Sequence, residues 1–168
     1  EIAVLLAAFG TLRRGEICAL TDQDVLKRAI RINKSYVRDE NNNWIIKEPK
    51  NFSSNRTVEL PDFVMDKIRP IRGPLVNLHP DALSEQFRRA VKKSGLPKFR
   101  FHDLRHYSAS IMHAIGVPDQ YIMQRGGWAS DHVMKSVYRN VIDAEAARQN
   151  KKILDHFNNM QHEMQHKK

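Results

Sequence analysis

The spacing of apolar residues changes from helical to alternating and back again, and this change constrains the fold more than any other feature. Residues 29–37 alternate Ile30, Ile32 and Tyr36 with polar neighbours, which is the pattern of a half-buried strand. Three consecutive asparagines at 41–43 predict a turn, and residues 44–47 and 56–60 predict two further strands. The sequence therefore predicts an α+β fold, mainly helical, with one small antiparallel sheet of three strands.

Helical spacing dominates the rest of the chain. Gly95 followed by Pro97, and Gly116 followed by Pro118, each mark the end of a helix. The predicted helices cover approximately residues 2–9, 13–20, 62–68, 81–94, 103–115, 118–124, 130–137 and 143–160. In helix 103–115 the spacing predicts that Leu104, Ser108, Ile111 and Ile115 face inward.

Length and composition set the class of protein. The chain has 168 residues, of which 41% are hydrophobic, as expected for one folded domain. The longest apolar run, Ile2 to Phe9, is too short to cross a bilayer, and the lone Cys18 excludes an internal disulfide. We therefore expect a cytoplasmic protein. Because the chain opens inside a helical pattern without an N-cap residue, we also expect it to be part of a longer protein.

Basic residues outnumber acidic ones, 28 to 19, which gives a formal net charge of +9. Residues 84–106 contain seven Lys or Arg against two acidic residues. Such a surface favours a polyanion such as nucleic acid, because binding releases counterions. A solvated helix face is the alternative interpretation.

Two motifs suggest chemistry that the rest of the sequence does not support. His162 and His166 fit the HExxH zinc pattern, but they lie too close to the C-terminus for a third ligand to follow. Residues 113–125 resemble a helix-turn-helix, although any corner between two helices gives the same pattern. We expect no metal site, and a non-catalytic DNA-binding module remains an alternative function.

A third constellation extends over most of the chain. Arg13 stands at a predicted helix start, and His102 and Arg105 are neighbours on one helix face. Trp128 follows two glycines, and Tyr138 comes ten positions later. Taken singly, Arg13 could pair with Glu16 on the surface, His102 could end a helix and Tyr138 could be half-buried. Their combination in this order is hard to obtain by chance.

These motifs resemble those of the tyrosine recombinase (phage integrase) family, and the likeness covers nearly the whole chain. Arg13-Arg14-Gly15-Glu16-Ile17 is similar to the first family motif, which places Arg13 at the catalytic position and Glu16 behind it. His102-x-x-Arg105 is similar to the second motif. The third, usually Leu-Gly-His, is here Gly126-Gly127-Trp128, in which the indole N–H would replace an imidazole donor at the phosphate.

The resemblance also implies a nucleophile and a general acid. Tyr138 falls at the position of the nucleophile. Residues 49–58 resemble the family hairpin, and this alignment selects Lys50 over Lys47 as the catalytic lysine. His102 would assist proton movement. Two arginines suit the chemistry, because planar guanidiniums bind non-bridging phosphate oxygens at fixed geometry.

The implied function is site-specific recombination of double-stranded DNA through a 3′-phosphotyrosine, without a cofactor. Residues 1–140 would form the catalytic domain and residues 141–168 a C-terminal helix and polar tail, packed on their own protomer or exchanged with a neighbour. The family's N-terminal core-binding domain is absent from this sequence. The resemblance further implies a homotetramer on DNA, a monomer when free, a bacterial, nucleoid-associated location and a role for accessory factors. Relaxation of DNA in the manner of a type IB topoisomerase is the alternative chemistry.

Overall fold

The computed structural model describes residues 1–48 and 55–130, together with residues 151 and 154. Residues 1–48 and 55–130 form six α-helices and four short strands, with a 3₁₀ turn at Asp22–Asp24. In chain order they are α1 (Ile2–Gly10), α2 (Arg14–Ala19), β1 (Ala29–Ile32), β2 (Ser35–Arg38), β3 (Trp44–Lys47), β4 (Arg56–Glu59), α3 (Asp62–Ile68), α4 (Pro80–Lys93), α5 (Phe101–Ala114) and α6 (Asp119–Gly126). The predicted α+β class, mainly helical, is confirmed.

The strands differ from the predicted single sheet of three. In the described residues β1 pairs with β4 and β2 pairs with β3, both antiparallel, so there are two ladders of two strands. The predicted first strand, residues 29–37, divides after Ile32. At that point Lys34 forms an ion pair with the buried carboxylate of Asp24, with 2.7 Å between Nζ and Oδ2. The chain then leaves the ladder with β4, and β2 runs alongside α2 instead.

Gly15 makes that close approach possible. A Cβ atom at Gly15 would lie 2.6 Å from the carbonyl oxygen of Tyr36 in β2. Backbone cannot yield as a flexible side chain can, so only glycine lets α2 lie this close to β2. This contact fixes the start of α2, where Arg13 lies.

The main core surrounds α1, which packs against α2, α3 and α5. Leu6 and Ala7 of α1 are fully buried, as are Ile30 and Ile32 of β1. A smaller second core joins α5 to α6 through Ala109, Ile122 and Trp128. The two cores hold α2, β4, α5 and α6 in contact around the residues of the candidate site.

The inward face of α5 differs from the prediction. Ser108 is buried and Leu104 is half-buried as expected, but Ile111 is 43% exposed and Ile115 is 72% exposed. The buried stripe instead contains Arg105 and Ala109, so it is rotated around the helix by about one residue. The rotation follows from burying a charged side chain, which hydrophobic spacing does not anticipate.

Several predictions concern residues outside the described part of the chain. Almost all of the predicted helices 130–137 and 143–160 lies there, as do the HExxH match and the proposed boundary at residue 141. Residues 151 and 154 are helical and exposed. No helix in the described ranges is long and apolar enough to cross a membrane.

Candidate active site

Arg13 occupies the N-cap position of α2, and its conformation is held by Glu16 three residues later. The Glu16 carboxylate accepts hydrogen bonds from the backbone N–H of Arg13 at 2.7 Å and from its Nη1 at 2.8 Å. The second terminal nitrogen, Nη2, donates to the carbonyl of Gly127 at 2.5 Å. The Arg13 side chain is still 36% exposed, so the guanidinium is fixed in direction and also accessible from solvent.

Arg56 also lies in this site, and the sequence analysis did not single it out. It lies at the start of β4 and donates from Nη1 and Nη2 to the two oxygens of Glu16, at 3.0 and 2.9 Å. Burial would raise the pKa of Glu16, but the hydrogen bonds and charges of Arg56 and Arg13 hold that pKa below its usual value. Alternation could have identified Arg56, because it shares the buried face of β4 with Val58.

Arg105 is the most deeply buried of the three arginines, with 1% of its surface exposed. One terminal nitrogen, Nη1, donates to the carbonyl of Thr11. The other, Nη2, is buried and has no hydrogen-bond partner within the described residues. Burial lowers the pKa of Arg105 to about 9, and the charges of Arg13 and Arg56 oppose its protonation while Glu16 favours it. Because that value lies above neutral pH, the guanidinium stays charged.

Trp128 forms one wall of the site. Its ring lies over the Arg105 guanidinium, with 3.8 Å from Cζ to the ring centroid, and the residue is 7% exposed. The face of the ring therefore supports an arginine, a contact that sequence reasoning did not foresee. Hydrogen bonding from the indole N–H to a phosphate stays a prediction.

His102 lies in the first turn of α5, three residues before Arg105, and is solvent-accessible. Its ring meets His106 edge to face, with 4.5 Å between the ring centroids. Partial burial lowers the pKa of His102 to about 4, helped by the neighbouring His106 and Arg105, so the imidazole is neutral at pH 7. A neutral imidazole has a nitrogen free to accept a proton, but a pKa of about 4 makes it a weak base at neutral pH.

The cluster as a whole is cationic. Among the described residues, the three guanidiniums of Arg13, Arg56 and Arg105 lie near the one carboxylate of Glu16, so positive charge is in excess there. Beside His102, a groove of about 450 Å³ runs between α4 and α5. Its rim carries further cations, Arg14, Arg88, Lys98 and Arg100. The arrangement is suited to a phosphodiester with flanking phosphates along the groove.

The structure thus brings together Arg13, Arg105 and Trp128, and it places His102 on the same helix as Arg105. The other two predicted site residues, Lys50 and Tyr138, lie outside the described residues. Lys47, the lysine that the hairpin alignment rejected, ends β3 with an exposed side chain.

The alternative motifs have a plain structural description. Residues 113–125 do form a corner of two helices, α5 and α6, joined at Gly116 with φ of 85°. Within it, Arg125 donates to the carbonyls of Phe9 and Glu59 at 2.8 and 2.7 Å, which attaches α6 to α1 and β4. In the part of the chain that the structure describes, no three His, Cys, Asp or Glu residues cluster as a metal site would require.

The chain is similar in sequence or in fold to several integrases and recombinases. The chain is 36% identical to the integrase of Salmonella phage P22 over 64 residues, which are 38% of the chain and 16% of that integrase. The structure of the Tn1549 transposon integrase in complex with a circular intermediate DNA matches 88% of the chain with a TM-score of 0.72 at 20% identity. The XerA recombinase matches 90% with a TM-score of 0.71 at 19% identity. The chain spans 58% and 55% of those two structures, which share its fold.

The sequence model of the phage integrase family covers residues 1–145 of the 168. That range contains each motif on which the resemblance rests, from Arg13 to Tyr138. The resemblance is confirmed, and the chain belongs to the phage integrase, or tyrosine recombinase, family.

Proposed function

We propose that this chain is the catalytic domain of a site-specific recombinase that cuts and rejoins double-stranded DNA through a 3′-phosphotyrosine. The observation that supports this most strongly is the buried Nη2 of Arg105, which has no hydrogen-bond partner among the residues that the structure describes. A buried donor without a partner costs about 1–3 kcal/mol, so a fold that retains one gains when an acceptor arrives. A phosphate oxygen is such an acceptor, and Arg13 is placed to bind a second.

In the proposed reaction the Tyr138 hydroxyl attacks the scissile phosphorus. An Oη–P bond forms, the bond from phosphorus to the 5′ oxygen breaks, and the phosphotyrosine ester preserves the energy of the phosphodiester. Negative charge grows on the two non-bridging oxygens, where Arg13 and Arg105 stabilise it. The ring of Trp128 stacks on the Arg105 guanidinium and supports its orientation.

Two protons move in this step. The tyrosine proton leaves as Oη bonds to phosphorus, and His102 receives it, directly or through water, because the negative charge of the bound phosphate raises the pKa of the imidazole. The departing 5′ oxygen takes a proton from Lys50 and becomes a hydroxyl. In the reverse direction a 5′ hydroxyl attacks the ester and releases Tyr138, so rejoining needs no nucleotide cofactor.

Recombination requires exchange between two duplexes, and we propose that four chains assemble on them in the bacterial cytoplasm. The exposed basic residues of α4 and the groove beside His102 would contact the flanking phosphates. Release of counterions from these contacts predicts binding that weakens steeply with salt.

A nicked duplex tests the chemistry. When cleavage occurs next to a nick, a short oligonucleotide diffuses away, rejoining fails and the covalent protein–DNA adduct accumulates. We expect the 168-residue chain to form an adduct that survives denaturant, and no adduct would contradict the proposal. Resolution of a four-way junction into duplexes would then support recombination, whereas relaxation of supercoils alone would favour the topoisomerase alternative.

A further inference from the structure

The turn at Arg125–Trp128 contacts each of the three arginines in the site, and it does so through three different groups. The carbonyl of Arg125 accepts from Arg56 Nε at 2.8 Å. The carbonyl of Gly127 accepts from Arg13 Nη2 at 2.5 Å, and the indole of Trp128 lies on Arg105. The Arg125–Trp128 turn therefore contacts the arginines of α2, β4 and α5 together.

Two glycines give the turn its shape. Gly127 ends α6 in the left-handed region, with φ of 65°, and the N–H of Trp128 returns to the carbonyl of Met123 at 3.0 Å. This folds the indole back over Gly126. A Cβ atom at Gly126 would lie 1.9 Å from Cζ3 and 2.1 Å from Cε3 of the ring, well inside van der Waals contact.

We propose that Gly126 is a positioning residue, whose missing side chain lets Trp128 hold the Arg105 guanidinium in register with Arg13 for phosphate binding. The inference rests on the proposed function for its catalytic consequence. Its structural part, that Gly126 sets the place of the indole, stands on the geometry alone.

The indole matters because Arg105 has little else to hold it. Within the described residues the guanidinium makes one hydrogen bond, to the Thr11 carbonyl, and stacks on the ring of Trp128. The charges of Arg13 and Arg56 repel it, and the charge of Glu16 attracts it. Without the ring, the guanidinium is free to turn away from those charges, and its Nη2 no longer has a fixed direction.

Fluorescence tests the structural part without catalysis. The chain has two tryptophans, so Trp44→Phe leaves Trp128 as the only emitter. In that background we expect Gly126→Ala to expel the ring towards water and shift its emission to longer wavelength. Gly73→Ala is the matched control, because Gly73 has φ of 81° with nothing within 4 Å of an added Cβ atom. That change adds strain far from the arginines and should leave the emission unchanged.

A double-mutant cycle on the nicked duplex tests the catalytic part. Gly126→Ala and Trp128→Ala should each slow adduct formation about 10²-fold at saturating DNA, the usual cost of misplacing one phosphate donor. DNA affinity should change much less, because the loss lies in the transition state. The double variant should be no slower than either single one, since both act on the same ring.

The outcomes separate the two proposals. Unchanged Trp128 emission in Gly126→Ala, or losses that multiply in the double variant, would overturn the positioning role. If the unmodified chain forms no adduct, the proposed function fails while the emission still decides the place of Gly126. Should Gly126→Ala not fold, the double variant removes the clash and is expected to fold, and its failure to do so would also contradict the inference.

Discussion

Replacing Arg105 by methionine should abolish most catalysis while leaving the fold nearly as stable as before. Burial lowers the pKa of Arg105 from its usual value to about 9, and at about 1.4 kcal/mol per pKa unit this corresponds to roughly 5 kcal/mol of unfavourable charge burial. Methionine has similar length and removes that charge. It also removes the hydrogen bond to Thr11, worth about 1–3 kcal/mol, and the contact with Trp128, worth about 2 kcal/mol when desolvated. These opposing quantities nearly cancel.

Arg56→Met provides the contrast. Arg56 binds both oxygens of Glu16, which is 3% exposed, so its removal leaves a buried carboxylate that, among the described residues, is still bonded to Arg13. Breaking a buried pair from one side typically costs about 3–5 kcal/mol. Urea denaturation should therefore find Arg105→Met within about 2 kcal/mol of the unmodified chain and Arg56→Met clearly less stable.

The catalytic rate is the second quantity to measure. The rate of adduct formation on a nicked duplex should fall about 10²- to 10³-fold in Arg105→Met, because one phosphate donor is lost. Two results would refute this reasoning. One is a loss of 3 kcal/mol or more in the unfolding free energy of Arg105→Met, which would make the guanidinium a structural element, and the other is an unchanged adduct rate.

Three further predictions concern the proton donor, the imidazole and the tail. Lys50→Ala should slow cleavage of ordinary DNA by about 10²-fold or more, and the cleavage rate should recover when sulfur replaces the leaving oxygen. Lys47→Ala, the control, should change neither rate. If the Lys50→Ala rate does not recover, another group supplies the proton. The pKa of His102 is about 4 in the folded chain and near 6.5 in the unfolded chain, so the unfolded chain binds more protons between pH 4 and 6.5. The free energy of unfolding should therefore fall as the pH drops through that range. His102→Gln should weaken this dependence in urea titrations at pH 7 and 5, and an identical dependence would contradict the assignment. A chain ending at Arg148 should stay folded, because residues 3–128 form both cores of the described part of the chain. It should lose cooperative assembly on DNA in a gel-shift assay, and unfolding would show instead that the tail packs on its own protomer.

Sequence patterns gave good helix boundaries where glycine and proline mark them. Helix α3 matches its predicted range of 62–68, and α4 and α5 each end within a residue or two of the prediction. Capping and turn residues act locally, so their effect can be read without the fold. The position of Arg13 at a helix start followed from the same signals.

Burial of charge could not be read in this way. The inward position of Arg105 displaced Ile111 and Ile115 towards solvent, because a buried guanidinium has its partners in other elements. The role of Arg56 likewise depends on Glu16, forty residues away in sequence. The division of the strands depends on an ion pair between Lys34 and Asp24, which spacing alone does not reveal.

The most direct test of the proposed chemistry is to find which tyrosine carries the DNA. Of the four tyrosines, Tyr36 lies in β2 and Tyr107 and Tyr121 lie in α5 and α6. Mass spectrometry of the proteolysed adduct should locate the nucleotide on Tyr138. Tyr138→Phe, which removes one oxygen, should bind DNA and form no adduct. A nucleotide found on another tyrosine, or an adduct formed by Tyr138→Phe, would contradict the assignment of the nucleophile.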